Sequence, residues 1–136
     1  MDKEIAILLI EDSPADIRFA EIQLNNILGS KHSLVVRDYI SKALQLLHEK
    51  KIDIIILDLS LPDSKGLGSL QKILDAYSIP VVIYTGVDDG FIKAEALRMG
   101  ASDYLIKGST SDDTLYTSIL TCMKQEPLVF RDTVAS

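Results

Sequence analysis

The feature that most constrains this chain is an alternation of short aliphatic runs with segments of helical spacing, repeated five times within 136 residues. The aliphatic runs are rich in Ile, Leu and Val and are too short to be helices, which is typical of strands buried on both faces of a parallel sheet. The runs predict strands over residues 5–10, 34–36, 54–57, 81–84 and 104–106.

Helical spacing fills the intervals between these strands. A Ser13-Pro14 pair before the first helix offers an N-cap hydroxyl and a proline at the first helical position, and the Asp16 carboxylate can reach back to the cap. Gly29 and Gly100 are natural C-terminal stops. The apolar positions are Ile17, Ala20, Leu24 and Ile27; Ala43, Leu44 and Leu47; and Leu67, Leu70, Ile73, Leu74 and Tyr77, with further helices predicted over 91–99 and 112–125. The alternation predicts an α/β fold with a doubly wound parallel sheet and helices on both faces.

The chain length and composition indicate one folded domain. We assign residues 1–125 to this domain and residues 126–136 to a C-terminal tail or truncated linker, which is too short to be an output domain. A net charge of −6 and a pI near 4.8 argue against nucleic acid or anionic lipid as a direct partner. A single cysteine, Cys122, and the absence of a signal-like or membrane-spanning apolar run predict a cytoplasmic location.

Polar residues follow four of the five predicted strands, where the ligand crevice of such a sheet lies. They are Glu11-Asp12, Asp58, Thr85-Gly86 and Lys107-Gly108. If the first and third strands are neighbours, Glu11, Asp12 and Asp58 converge, and three close carboxylates repel one another unless a cation neutralises them. Magnesium suits this ligand set better than calcium or zinc, because it tolerates a few carboxylates together with water and phosphoryl oxygens.

Lys107 and Thr85 would add a cation and a hydroxyl to the same edge of the sheet, so the site could hold an anion beside its own carboxylates. A phosphoryl group fits that description, since its transfer needs an in-line nucleophile, a metal and donors for its oxygens. The residues indicate Asp58 as the nucleophile. Its acyl phosphate would be labile, which suits a reversible signal.

The chain resembles a response regulator receiver domain of the CheY-like superfamily, from Ile5 to about Met123. Glu11 and Asp12 match the acidic pair of that family, and Asp58 in Ile-Ile-Leu-Asp-Leu-Ser-Leu-Pro matches its phosphoacceptor. Thr85 and Lys107 match the switch hydroxyl and the phosphate-binding lysine, and Tyr104 matches the aromatic switch position. The resemblance implies a flavodoxin-like fold with five strands in the order 2-1-3-4-5, flanked by five helices.

The resemblance also implies a mechanism. A sensor histidine kinase or histidine phosphotransfer protein would donate a phosphoryl group to Asp58 in a Mg²⁺-dependent reaction, with the backbone carbonyl of Ser60 as a further metal ligand. Thr85 would turn toward the phosphoryl oxygens and Tyr104 would rotate inward, which changes the face formed by the fourth helix, fifth strand and fifth helix. The chain would catalyse only its own phosphoryl transfer and dephosphorylation, and would act on a downstream protein or a missing output domain.

Two positions depart from the family pattern. Gly108 replaces the usual proline after the lysine, where the family has a cis peptide; a cis bond before glycine costs roughly 2.5 to 4 kcal/mol. We therefore expect either a trans bond with a rearranged loop, or strain. The terminal helix carries only one basic residue, Lys124. The charged dimer face of one DNA-binding subgroup is therefore poorly supported, and the question of a homodimer stays open.

Three other functions fit parts of the sequence. A phosphatase of the haloacid-dehalogenase type also uses an aspartate after an apolar strand, but it needs a second aspartate where this chain has Ser60. A flavodoxin-like cofactor carrier fits the fold, yet the acidic residues would repel a flavin phosphate. A docking module that works without phosphorylation would not need Glu11, Asp12, Asp58, Thr85 and Lys107, all of which are present.

Overall fold

The structure is a computed structural model that describes residues 4–123. The tail predicted for 126–136 and the last two residues of the predicted terminal helix lie outside these residues. In chain order the elements are β1 (Ile5–Ile10), α1 (Pro14–Leu28), a 3₁₀ turn (Gly29–Lys31), β2 (His32–Arg37), α2 (Ile40–Glu49), β3 (Ile54–Leu57), β4 (Ser60–Leu61), β5 (Ser64–Lys65), α3 (Leu67–Ala76), β6 (Val81–Thr85), α4 (Gly90–Met99), β7 (Asp103–Ile106) and α5 (Asp112–Met123).

Five of the strands form one parallel sheet in the order β2-β1-β3-β6-β7. The fourth and fifth strands predicted from the sequence are β6 and β7, so the predicted fold and strand order are confirmed. The register places Ile10 opposite Leu57 and Thr85 opposite Ile106. The residues that follow these strands, Glu11, Asp58 and Lys107, therefore emerge at the same edge of the sheet.

Two apolar cores lie on opposite faces of the sheet, because successive side chains of a strand point to opposite sides. Ile54 and Ile56 face α1 and α5, whereas Ile55 and Leu57 face α2, α3 and α4. All four side chains of β3 are buried. Burial on both faces explains why the central strands read as continuous aliphatic runs rather than alternating ones.

Helix ends follow the predicted capping chemistry, with one correction. The Ser13 hydroxyl accepts a hydrogen bond from the Asp16 amide at 3.3 Å, and α1 and α4 end at Gly29 and Gly100. The Asp16 carboxylate does not reach back to the cap as expected. It bonds Lys107 instead, and the Ser13 amide donates to Glu11 Oε2 at 3.1 Å.

A small antiparallel hairpin, β4–β5, follows the third strand and was not predicted. Leu59 and Leu61 bury their side chains in the core beneath it, at 2% and 1% exposure. Asp63 lies in the turn between β4 and β5. It accepts hydrogen bonds from the first amides of α2, those of Ile40 at 2.9 Å and Ser41 at 3.1 Å. The hairpin thus caps a neighbouring helix. This contact takes the place of a local cap, since Tyr39 at the N-cap position of α2 makes no side-chain cap bond.

None of the helices in residues 4–123 combines the length and apolar character that crossing a bilayer requires.

Candidate functional site

An acidic cluster lies at the carboxyl ends of β1 and β3. Glu11, Asp12 and Asp58 each offer a carboxylate oxygen, and these oxygens lie within 4.8 Å of one another. Glu11 and Asp58 are buried at 2% and 4% exposure, whereas Asp12 is exposed. An oxygen-only ligand set of this kind fits a hard divalent cation such as Mg²⁺.

Backbone amides hold the buried carboxylates in place. Glu11 Oε2 accepts from the amides of Asp12 and Ser13, both at 3.1 Å. Asp58 donates its own amide to Ile10 O at 3.0 Å, and its Oδ2 accepts from the Ser60 amide at 3.3 Å. The tight turn after each strand therefore supplies hydrogen bonds that a buried carboxylate would otherwise lack.

Lys107 brings the positive charge that the sequence predicts. Its Nζ lies 2.5 Å from Glu11 Oε1, 2.8 Å from Asp16 Oδ2 and 3.4 Å from Asp58 Oδ1. Its side chain is 21% exposed. The ammonium group therefore sits among three carboxylates and offsets part of their repulsion.

The environment shifts the pKa values of Glu11 and Lys107. Burial raises the pKa of the Glu11 carboxyl, and the nearby charge of Asp58 acts in the same direction, although the bonds from Lys107 and Ser13 oppose it. Burial acts to lower the pKa of Lys107. The hydrogen bonds to Asp16 and Glu11, together with the charge of Asp58, outweigh burial and raise that pKa, so Lys107 keeps its proton throughout the neutral range.

The loop after Lys107 resolves the first departure from the family pattern. No peptide bond among residues 4–123 is cis, so Lys107 and Gly108 are joined in trans, the first of the two expected alternatives. Gly108 takes φ +85°, a backbone conformation that glycine adopts at little cost. The Lys107 amide donates to Thr85 O at 2.8 Å, which ties the lysine to the end of β6.

Thr85 and Tyr104 lie near the acidic cluster but not at its surface. Thr85 is fully buried, and its hydroxyl accepts from the Val87 amide at 3.3 Å. Tyr104 is 3% exposed and donates its phenol to Val87 O at 2.7 Å. Burial raises the pKa of this phenol, and the charges of Asp89, Asp88 and Asp58 act in the same direction. Both side chains contact the backbone of Val87, the second residue after β6.

The open cleft above the cluster has a volume of about 410 Å³ and is lined by Glu11, Asp12, Ser13, Asp16, Asp58, Ser60, Gly86, Val87 and Lys107. The structure therefore brings together the predicted acidic residues, Ser60 and Lys107. Thr85 and Tyr104 do not line the cleft. Asp16 was not predicted as a partner of Lys107. An acidic residue in the first turn of a helix is usually interpreted as a cap, and no local pattern indicates a contact with a lysine 91 positions away.

The family model of the response regulator receiver domain matches residues 7–119. The fold and the acidic cluster agree with that match, and the chain belongs to this family of two-component signalling domains.

Two named relatives illustrate the likeness. The chain is similar to the regulatory protein VanR of Enterococcus faecium, with 34% identity over 102 residues that span 74% of this chain and 42% of VanR. It is also similar to the response regulator ArlR of Staphylococcus aureus, with 32% identity over 124 residues that span 89% of this chain and 53% of ArlR. The chain thus spans about half or less of the length of these relatives.

Solved structures show the same architecture. The BeF₃-activated N-terminal receiver domain of Klebsiella pneumoniae RstA superposes with a TM-score of 0.79 at 25% identity, covering 88% of this chain and 99% of that domain. The phosphorylated cyanobacterial phytochrome response regulator RcpA gives a TM-score of 0.71 at 25% identity, covering 84% of this chain and 87% of RcpA.

Proposed function

We propose that this chain is a phosphorylation-activated switch that accepts a phosphoryl group on Asp58. The observation that carries the proposal is the cluster at the carboxyl ends of the strands. There, Asp58 lies with two further carboxylates within 4.8 Å, and Lys107 Nζ is 3.4 Å from Asp58 Oδ1. A carboxylate beside a candidate metal site and close to an ammonium group is suited to attack on phosphorus.

Glu11, Asp12 and Asp58 would hold Mg²⁺, with the backbone carbonyl of Ser60 as a further ligand. The three carboxylate oxygens suit this ion, and the cleft is open enough to retain water and admit phosphoryl oxygens. Bound Mg²⁺ would supply charge neutralisation for the oxygens of the transferred group.

The transfer itself exchanges one bond for another. An Asp58 carboxylate oxygen forms a bond to phosphorus while the bond from phosphorus to the donor histidine nitrogen breaks, and the nitrogen keeps the electron pair. Lys107 would move its ammonium hydrogen bonds from Glu11 and Asp16 to the phosphoryl oxygens.

Thr85 and Tyr104 are the proposed switch residues. Both bond the backbone of Val87, so a turn of the Thr85 hydroxyl toward the new phosphoryl group would release the Val87 amide. Tyr104 is already 3% exposed and bonded to Val87 O. The change would therefore start from an inward tyrosine and alter the segment between β6 and α4, and with it the face formed by α4, β7 and α5.

The partners follow from the family. A sensor histidine kinase or histidine phosphotransfer protein would be the donor, and a downstream protein or an output domain would read the modified face. We propose that the chain catalyses no reaction beyond its own phosphorylation and dephosphorylation, and that it acts in the cytoplasm.

The first prediction tests the acceptor. Incubation with acetyl phosphate and Mg²⁺, followed by intact-mass measurement, is expected to give a single phosphoryl adduct. Asp58→Asn should give none, because the amide oxygen is a far weaker nucleophile than the carboxylate, and omission of Mg²⁺ should remove the adduct from the native chain.

Asp75→Asn, which changes an exposed aspartate on α3, is the matched control and should react like the native chain. If the native chain stays folded and takes no phosphoryl group, a docking module that works without phosphorylation would be the better-supported function. An adduct that persists in Asp58→Asn would move the acceptor to another residue.

A further inference from the structure

A buried amide on α1 contacts the far end of the loop that carries Lys107. Gln23 is 2% exposed and lies between Ala20 and Leu24, which are both buried. Its Nε2 donates to Thr110 O at 3.3 Å and to Asp112 Oδ1 at 3.1 Å, and its Oε1 accepts from the Tyr84 phenol at 2.6 Å. One side chain thus joins α1, β6, the loop and the start of α5.

The chemistry of the partners allows only one orientation of this amide. The Thr110 carbonyl and the Asp112 carboxylate can only accept hydrogen bonds, so they must face the NH₂ group. The Tyr84 phenol can donate, and burial raises its pKa, so it keeps the proton that it shares with Oε1. Both amide hydrogens and the oxygen have partners, and a flipped amide would lose the bonds to Thr110 and Asp112 and place its oxygen against two acceptors.

The loop formed by residues 107–111 has little apolar packing to hold it. Gly108 and Ser109 are exposed, and a Cβ built on Gly108 would meet no atom within 4 Å. A cavity of about 330 Å³ is lined by Lys107 and Gly108 of the loop and by Phe19 and Ala20 of α1. Apolar packing therefore does not fix the backbone of Lys107.

Polar anchors take over that task at the two ends of the loop. At its start the Lys107 amide donates to Thr85 O at 2.8 Å, and near its end Thr110 Oγ1 donates to Ile106 O at 2.8 Å. These bonds join the loop only to β6 and β7. Gln23 supplies the bond that fixes the Thr110 carbonyl to α1.

We propose that Gln23 is a positioning residue of the acceptor site. It holds the loop of residues 107–111 against α1 and β6, so that the lysine ammonium reaches Asp58. It does so although the residue after Lys107 is a glycine joined to it by a trans peptide bond. Gln23 touches none of the reacting groups and acts through Lys107. This role rests on the proposed phosphorylation of Asp58.

The test measures the rate of phosphorylation by acetyl phosphate and Mg²⁺ in Gln23→Leu, which replaces the buried amide with an apolar side chain and removes all three hydrogen bonds. We expect the rate to fall by about tenfold or more, because a misplacement of about 1 Å at a reacting site can cost about a hundredfold. Asn26→Ala is the matched control on the same helix. It removes the exposed bond to Asp112 Oδ2 and leaves the Thr110 carbonyl held, so its rate should match that of the native chain.

A double-mutant cycle separates positioning from general stability. In a Lys107→Ala background the same Gln23→Leu change should slow phosphorylation no further, to within about twofold, because the group that Gln23 positions is gone. A role confined to the fold would leave the two effects multiplicative, and that result would overturn the proposal.

Tyr84→Phe is the second variant, in case Gln23→Leu does not fold. It removes one bond, keeps the ring in the core, and should give a smaller slowdown that also disappears in the Lys107→Ala background. A native chain that takes no phosphoryl group would overturn the proposed function, and the role of Gln23 with it. A native chain that reacts while the cycle is multiplicative would overturn the role of Gln23 alone.

Discussion

Two loops at the carboxyl edge of the sheet carry site residues and are held in different ways. The segment of residues 59–66, after β3, forms a hairpin anchored by Leu59 and Leu61 in the apolar core. Its Gly66 amide donates to Leu59 O at 2.7 Å, which closes the segment on itself. Packing thus fixes the backbone beside Asp58.

The loop of residues 107–111, after β7, has no such anchor. None of these five residues, all of which the structure describes, belongs to either apolar core. Hydrogen bonds hold it instead: the loop donates to the carbonyls of Thr85 and Ile106 and accepts from the Gln23 amide. The segment beside Asp58 is therefore held largely by packing and the loop that carries Lys107 by polar contacts, which weaken steeply as their angles depart from linear.

The largest expected effect lies in the packed loop. Leu61→Ala should lower the free energy of unfolding by about 2–5 kcal/mol, because the side chain is 1% exposed and its loss leaves a cavity. Urea denaturation measures this change. Leu97→Ala is the control, and its 40% exposed side chain should cost about 0.5 kcal/mol or less. A similar small cost for Leu61→Ala would show that packing does not hold the hairpin.

The second prediction concerns backbone conformation in the polar loop. Gly108→Ala should lower the free energy of unfolding by about 1–2 kcal/mol, because φ +85° is unfavourable for alanine even though its Cβ would meet no atom within 4 Å. Gly68→Ala, in α3, is the matched control with equally open space and no positive φ. It should stabilise the protein by about 0.5–1 kcal/mol. Equal effects of the two changes would contradict the conformational argument.

The smallest effect is a pH dependence of the packed loop. Desolvation opposes ionisation of Asp63, but the bonds from the Ile40 and Ser41 amides outweigh it and hold its pKa below the usual 3.8. Its contribution to stability is therefore present above pH 3.8 and is lost as the pH falls through the lowered pKa. Thermal unfolding of the native chain and of Asp63→Asn should differ most near neutral pH and converge as the pH falls below that value.

Asp88→Asn, at an exposed position before α4, is the control for this titration. A difference between the native chain and Asp63→Asn that stays constant down to pH 3 would show that the charge of Asp63 does not contribute to the cap of α2.

The sequence predicted the sheet and the edge of the site because both depend on local patterns. Strands buried on both faces read as aliphatic runs, so β1 and β3 were predicted with the bounds that the structure has. Parallel strands also bring the residues after their carboxyl ends to one edge, which is why Glu11, Asp58 and Lys107 could be grouped from the sequence alone. The roles of Asp58, Thr85, Tyr104 and Lys107 in phosphorylation stay predictions.

The sequence reasoning missed features that depend on contacts between distant segments. The bonds of Asp16 to Lys107 and of Gln23 to Thr110 join residues 91 and 87 positions apart. One signal was present for Gln23, which falls three residues after Ala20 and four before Ile27 on the apolar stripe of α1. A polar residue on such a stripe needs buried partners. The short hairpin gave no comparable signal, because two-residue strands are below the length at which alternation can be recognised.

The separation between Glu11 and Lys107, 96 positions along the chain, also has a meaning for biosynthesis. A ribosome releases the amino-terminal half first, so β1 and β3 can pair before β7 has been made. During that interval the nascent polypeptide carries its acidic cluster without the lysine that offsets it. The repulsion among these carboxylates is therefore offset by Lys107 only after the last strand has been made and has docked at the edge of the sheet.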